Sequence, residues 1–343
     1  MILVTTAGKV GSETARLLRE RDVPVRVLVR DPATTTARAL AEAGAEIATG
    51  DLGVSASIDE AMSGVSGVVL VSLAVPAQEL NVVASAASAG AGHVVKATSK
   101  APADSPIARR RWQAEIEAGL AASEIPHTLL RSNAYMQNVL ALAPAIATTS
   151  SFGSSAGNGR SGLVDARDVA AVAAEIITSP AAQAERTYWL TGPELVSNYD
   201  VAAVLSKLLG RTVSYRELTF AENKDEMIRA GIPEQIAEMN AQAFSLTAGG
   251  DAEWVTQDVQ SILGRPARSL EQFTADYAAA SLREGTGHPE RRQAGAPDRS
   301  GNHTDVTPGT RRIVHFADRL HLTFRHPGMQ RRHPQKAGQV WLR

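Results

Sequence analysis

The run Thr5-Thr6-Ala7-Gly8-Lys9-Val10-Gly11 follows the first apolar segment and opens the first helical pattern. A turn of this composition suits a pyrophosphate. One glycine lets ligand oxygens approach the backbone, another lets a helix pack closely on its strand, and the helix N-terminus offers N–H donors and a positive dipole. By spacing, Gly8 and Gly11 hold the second and third glycine positions of the dinucleotide fingerprint, and Thr5 stands where the first belongs. A shorter turn would account for Thr5. Thr6, Gly8, Lys9, Val10 and Gly11 are the candidate pyrophosphate contacts.

A second position chooses between dinucleotides. In Val27-Leu28-Val29-Arg30-Asp31-Pro32, Arg30 is the first residue off the second strand. An arginine there accommodates a ribose 2′-phosphate, whereas an acid bonds the free 2′-hydroxyl. NADP(H) is therefore preferred, with Asp31 keeping NAD(H) open; a solvated Arg–Asp couple before a proline turn is the plain alternative. Gly50-Asp51-Leu52 ends the third strand, where Asp51 can accept from an adenine amino group or merely cap a turn. Ser72 and Leu73, after the fourth strand, are placed to line the ribose side.

These residues need a frame that brings strand ends together. Six short apolar runs fit strands: Ile2–Thr5, Val25–Val29, Glu46–Thr49, Gly67–Ser72, His93–Ala97 and Thr128–Arg131. Helical patterns lie between them, at Val10–Arg21, Thr35–Ala43, Ser57–Met62, Gln78–Ala89 and Ile107–Ser123. Nearly all-apolar strands imply burial on both faces, hence a parallel sheet, and the alternation implies a doubly wound α/β Rossmann fold. After Ser132 the pattern loosens. Helices are expected at Tyr135–Ala147, Arg167–Thr178, Tyr199–Leu209, Phe220–Ala230, Pro233–Phe244 and Ser269–Ala280, with Asn198 and Ser269 as N-caps. Strands are expected at Thr187–Leu190 and Val213–Glu217. The expected organisation is an NAD(P)-binding domain over 1–150 and a smaller, mostly helical substrate-side region over 151–282, partly interleaved with it.

Composition narrows the chemistry. The chain has 343 residues and no cysteine, which removes disulfides, thiolate catalysis and Cys-ligated metals. His93 and His127 are isolated, so no metal site is expected in the folded part. The opening MILVTTAG lacks the basic start of a secretion signal, and no run of roughly 18 apolar residues occurs, so neither export nor a membrane span is expected. A cytoplasmic location follows. From Arg283 onward, twelve Lys and Arg stand against five Asp and Glu, and six of the eight histidines gather there. This basic stretch, 283–343, reads as disordered or as an out-of-frame extension, with nucleic-acid contact as its weaker functional reading.

The pieces VTTAGKVG, VRVLVRDP, the GDL after the third strand, HVVKATSK and LLRSNAYMQN together resemble the NmrA-like branch of the atypical short-chain dehydrogenase/reductases. VDARDVAAVAA and YWLTGPE extend the resemblance over residues 1–282. It implies a Rossmann domain binding NAD(P), and one of two roles. One is an NAD(P)H-dependent reductase passing hydride to a small carbonyl, quinone or similar acceptor; the other is a non-catalytic redox sensor acting on a protein partner. The Tyr-x-x-x-Lys pair of the wider superfamily is missing, since its tyrosine and lysine positions fall on Arg109 and Gln113. The segment Arg109-Arg110-Arg111-Trp112 reads as a solvated helix start or as a contact for a phosphate or acidic ligand. Lys96, Thr98, Ser99 and Lys100 close the fifth strand and are expected to face the nicotinamide, with Thr98 a cofactor contact and Lys100 able to polarise a carbonyl. By the same resemblance, Asn133, Tyr135, Met136 and Asn138 meet nicotinamide and substrate. Tyr135 is the best hydroxyl donor. Asp165 and Asp168 read as helix caps.

Overall fold

The computed structural model describes residues 1–180 and 184–285. From residue 286 onward, the basic stretch expected to be disordered lies outside the described residues. Its first three residues are helical.

In the first half the elements are β1 (Ile2–Val4), α1 (Lys9–Glu20), β2 (Val25–Val29), α2 (Thr35–Glu42), β3 (Glu46–Thr49), α3 (Ser55–Met62), β4 (Gly67–Leu70), α4 (Pro76–Ser88), β5 (Val94–Ser99), α5 (Ala108–Ala122) and β6 (His127–Ser132). A 3₁₀ helix follows at Met136–Leu142, then α6 (Ala143–Thr149), β7 (Ser151–Ser154), β8 (Arg160–Ser161), α7 (Ala166–Thr178) and β9 (Arg186–Leu190). The remainder holds β10 (Val196–Ser197), α8 (Asn198–Leu209), β11 (Ser214–Glu217), α9 (Phe220–Arg229), α10 (Glu234–Ala248), α11 (Asp258–Leu263) and α12 (Leu270–Gly285).

The main sheet is wholly parallel, in the order β3-β2-β1-β4-β5-β6-β9. Chain order reverses between β1 and β4, and the crevice outside that reversal is where such sheets take ligands. Side chains alternate across the sheet because the strand period is two. Thus Ile2 and Val4 of β1 enter the core shared with α1 and α7, while Leu3 enters the core on the other face with α3 and α4. Val69 and its neighbours Val68 and Leu70 divide the same way on β4. Full burial of such side chains contributes about 1.5–3 kcal/mol each and drives the inner strands together, while β3, at the sheet edge and only partly buried, is held by its pairing with β2. The second-half strand expected at Thr187–Leu190 is the seventh of this sheet, paired with β6.

A third core joins the second half to itself. Met136, Ile146, Phe152, Val201, Leu205, Tyr215 and Phe273 pack together beneath α8 and α12. Here the expectations meet corrections. The helix expected over Tyr135–Ala147 is a 3₁₀ turn followed by a new α-helix, because Pro144 cannot sit inside a continuous helix and occupies the first turn of α6 instead. The expected N-cap Asn198 is already helical; Ser197 caps α8, exchanging bonds with Asp200 in a capping box. Ser269 does cap its helix, trading hydrogen bonds with Gln272. β7, β8, β10 and α11 had no expectation. β7 is Ser-Phe-Gly-Ser, too short and too polar to show a pattern, and it exists through parallel pairing with β11.

Candidate functional site

The carboxyl ends of the strands open into one cleft of about 2260 Å³, closed on its far side by the segments from Ala134 to Ala156 and by α9 and α10. That exceeds the few hundred to one thousand Å³ of ordinary small-ligand pockets and suits two ligands side by side.

At the β1–α1 turn the glycines have separate duties. A Cβ on Gly11 would stand 1.9 Å from the Thr6 carbonyl oxygen, so only glycine lets the helix start this close to its strand. A Cβ on Gly8 would meet nothing nearer than Thr6 Oγ1 at 3.7 Å, and Gly8 lines the cleft. The space there is free for a ligand. Gly8 is the N-cap of α1 and gives no side-chain cap, and the first turn holds no acid, so the amides of that turn are left for an anion. Thr5 needs no glycine, since its backbone stays out of the left-handed region. Its hydroxyl donates to the Val71 carbonyl at 2.8 Å and accepts from the Val71 amide at 2.9 Å, and the Thr6 hydroxyl donates to the same carbonyl. The turn is thereby stitched to the end of β4. Lys9 and Val10 also line the cleft, and burial lowers the pKa of the Lys9 ammonium.

Arg30 lines the cleft, exposed, with no hydrogen-bond or ion-pair partner among the described residues. Asp31 does not pair with it. Its carboxylate accepts from the Ala33 amide and holds its own turn. Asp51 and Leu52 line the cleft after β3; Asp51 Oδ1 accepts from the Gly53 amide, while Oδ2 has no partner among the described residues. Ser72 lines it too, but donates to Glu79 at 2.6 Å. These residues fit a dinucleotide: a glycine cradle, an uncapped helix start, and the cations Lys9 and Arg30, unpaired among the described residues.

The other end of the cleft is assembled differently. Lys96 does not face it, as had been expected. On β5 it shares the face of Val94, and its ammonium is fully buried 2.9 Å from Glu79 Oε2. Thr98 shares that face; it borders the cleft, but its hydroxyl donates to Glu117 at 2.8 Å and Gln113 at 3.1 Å on α5. The two-residue period of a strand already required Lys96 and Thr98 to point together. Lys100 lines the cleft with its ammonium 2.8 Å from Asp251 Oδ1, and Arg110 reaches Asp251 Oδ2 at 2.6 Å. Asn133 donates to the Ala252 carbonyl and accepts from the Ala134 amide. Tyr135 stands half-buried in the wall, its hydroxyl 3.4 Å from Ser132 Oγ. Burial raises its pKa above the ordinary tyrosine value, partly offset by the Ser132 bond. Asn138 lines the cleft, whereas Met136 is buried in the third core. Asp165 caps α7 through the Arg167 amide. Asp168, expected as a cap, is not one: inside the first turn of α7 and fully buried, it binds Arg265 and Arg268 and ties the segment before α12 onto α7.

The segment Asp251–Trp254, after α10, had no place among the expected site residues. It anchors Lys100, Arg110 and Asn133, and Trp254, edge-on to Trp189 with ring centroids 5.4 Å apart, lines the cleft, as does Trp112. The sequence signal there is only a Gly249-Gly250 turn.

The NmrA-like family model matches residues 1–274. An NAD(P)H azoreductase of Xenophilus azovorans is 35% identical over 284 residues, 82% of this chain and 98% of that protein. A (4-alkanoyl-5-oxo-2,5-dihydrofuran-3-yl)methyl phosphate reductase of Streptomyces griseus is 35% identical over 286 residues, 82% of this chain and 99% of that protein. The crystal structure of an NADPH-dependent quinone oxidoreductase of Escherichia coli, complexed with NADPH, aligns with a TM-score of 0.73 at 29% identity, over 80% of this chain and 99% of that one.

Proposed function

Because the chain belongs to the NmrA-like family and is an NAD(P)H-dependent oxidoreductase, we propose that it reduces a flat, conjugated small-molecule acceptor of the quinone or azo type. NADP(H) is the cofactor, and NADPH is the preferred donor. The relatives named above are all enzymes, which disfavours the sensor reading. The observation that carries the proposal is the division of a single cleft: a glycine-lined, cation-bearing end at β1 and β2, and an end at β5 and β6 bordered by Lys100, Asn133 and Tyr135, with Trp112 and Trp254 in the lining.

Gly8, Gly11 and the first turn of α1, with Thr6, Lys9 and Val10, hold the pyrophosphate. Arg30 reads the 2′-phosphate; Asp51 and Leu52 border the adenine, and Ser72 the ribose. Thr98 and Asn133 border the nicotinamide side, Thr98 by bracing α5 and Asn133 by fixing the Ala252 strap. When bound, the reduced nicotinamide supplies the hydride. The protein aligns the acceptor, excludes water with its aromatic wall, and supplies the matching proton. Tyr135 is the proton donor in this scheme, because it lines the cleft beside β6 and a tyrosine hydroxyl carries its proton at physiological pH; burial only raises its pKa further. Lys100 acts through Asp251, setting the position of the wall.

We place the enzyme in the cytoplasm, where reduced nicotinamide nucleotide is available. Among the described residues, no helix is long and apolar enough to cross a membrane. The test is titration with NADPH and NADH, followed by loss of reduced-nicotinamide absorbance with a panel of quinones and azo compounds. Tight NADPH binding with acceptor-dependent oxidation is expected. Binding with no oxidation across the panel would refute the reductase reading.

A further inference from the structure

Most cations at the acceptor end of the cleft are already engaged. Lys100 and Arg110 share Asp251, Arg216 faces Glu226, and Arg229 bonds the Asp225 carbonyl. Arg109 is different. It stands in the first turn of α5, half-buried in the cleft wall, with no hydrogen-bond or ion-pair partner among the described residues. Trp112 and Gln113, three and four positions on, share its helix face and line the same wall. The helix start beneath it has no side-chain cap at Ile107 and no acid in its first turn. Burial, and then the adjacent Arg110 charge, lower the Arg109 pKa. A partly desolvated guanidinium with five unused donors and a like charge beside it is unfavourable as it stands. An oxyanion would relieve both costs.

The cofactor's phosphates have their own cations, Lys9 and Arg30, at the β1 and β2 end. Arg109 lies beyond β5, where the aromatic wall begins. We propose that Arg109 is a specificity-determining residue that binds an anionic oxygen group (sulfonate, carboxylate or phosphate) carried by the acceptor, whose ring lies beside Trp112. The proposal rests on the reductase reading for its acceptor, but its test also has a binding arm independent of turnover.

The experiment compares a naphthoquinone with the same naphthoquinone bearing one sulfonate, in the wild type, Arg109→Gln and Arg109→Lys. Arg109→Gln is expected to raise KM for the sulfonated quinone about tenfold or more, the scale of a charge-assisted hydrogen bond. The kcat, the KM for the neutral quinone and the Kd for NADPH stay within about twofold, and Arg109→Lys restores part of the loss. Equal shifts for both quinones, or a rise in the NADPH Kd instead, would overturn the proposal. Binding of redox-inert naphthalene sulfonate to the NADPH-loaded protein, followed by tryptophan fluorescence, gives the second arm. Tenfold weaker binding in Arg109→Gln upholds the anion site even if neither quinone is reduced. Equal binding in both proteins rejects it. Unchanged thermal unfolding checks that the variant is folded.

Discussion

The two ends of the cleft use charge in opposite ways. At the β1 and β2 end, Lys9 and Arg30 stand without partners among the described residues and α1 begins without a side-chain cap, which leaves its donors open to a ligand. At the β5 and β6 end, Lys100, Arg110 and Asn133 are bound to the Asp251–Trp254 segment, and Arg109 alone of that group stays unpaired among the described residues. Contrast α8 and α9, away from the pyrophosphate turn, where Ser197 with Asp200 and Thr219 with Glu222 complete capping boxes. A missing cap alone does not mark the site, since α3, α4, α5 and α10 also begin without one; α1 is set apart because its uncapped amides follow a glycine turn with space for a ligand at Gly8. The difference is between a site made of free donors on a rigid sheet edge and a wall held shape by ion pairs across the chain.

Substitutions can break or sharpen this contrast, the largest effect coming first. Gly11→Ala drives a methyl into the Thr6 carbonyl and should cost on the order of 3 kcal/mol or more; its neighbour Gly8→Ala should cost no more than about 1 kcal/mol yet weaken NADPH about tenfold. Thermal unfolding beside nucleotide titration separates the two, and similar behaviour in both would erase their distinction. Tyr135→Phe should lower kcat about a hundredfold with little change in nucleotide Kd. A tyrosine hydroxyl stays protonated through neutral pH, so the wild-type rate should be flat there, and burial moves its fall above the ordinary tyrosine value of 10.0. That alkaline fall should vanish in the variant.

Arg30→Asp should raise the Kd for NADPH by roughly ten- to a hundredfold and favour NADH, leaving acceptor KM alone. Nucleotide titrations check this, and an acceptor effect would mean the ends are not independent. The smallest effect belongs to Asp251→Asn, expected to raise acceptor KM severalfold and cost about 1 kcal/mol in unfolding. Burial raises the Asp251 pKa, but hydrogen bonds from Arg110 and Lys100, and their charges, outweigh it and leave the carboxyl below its ordinary 3.8. A depressed carboxyl stabilises the fold above its unfolded pKa and loses that contribution as pH falls through the folded one. Wild type and variant should therefore differ in stability at neutral pH and converge only in strong acid.

The proposed cofactor end was legible as a cleft-lining cluster because its residues are neighbours in sequence. Residues 5–11 and 28–31 are each a strand end running into a turn, and turn chemistry is local. Thr5 shows the limit, for its hydroxyl bonds to Val71 replace a glycine in a way that spacing alone does not reveal. The orientation of Lys96 and Thr98 was available from strand alternation, and Pro144 marked the break in the helix expected from Tyr135. Asp251 was beyond such signals. It lies 151 residues from Lys100 and 141 from Arg110, in a segment without apolar period.

By itself the sequence determined the parallel Rossmann sheet, the glycine turn and the cation at the second strand end, since each follows from residue type over a few adjacent positions. Only the tertiary structure decided which cations are spent and which are free, how the seventh strand joins the sheet, and what walls the acceptor end. Those outcomes depend on side chains brought together from distant parts of the chain, and pairing at that range leaves no mark on local composition or period.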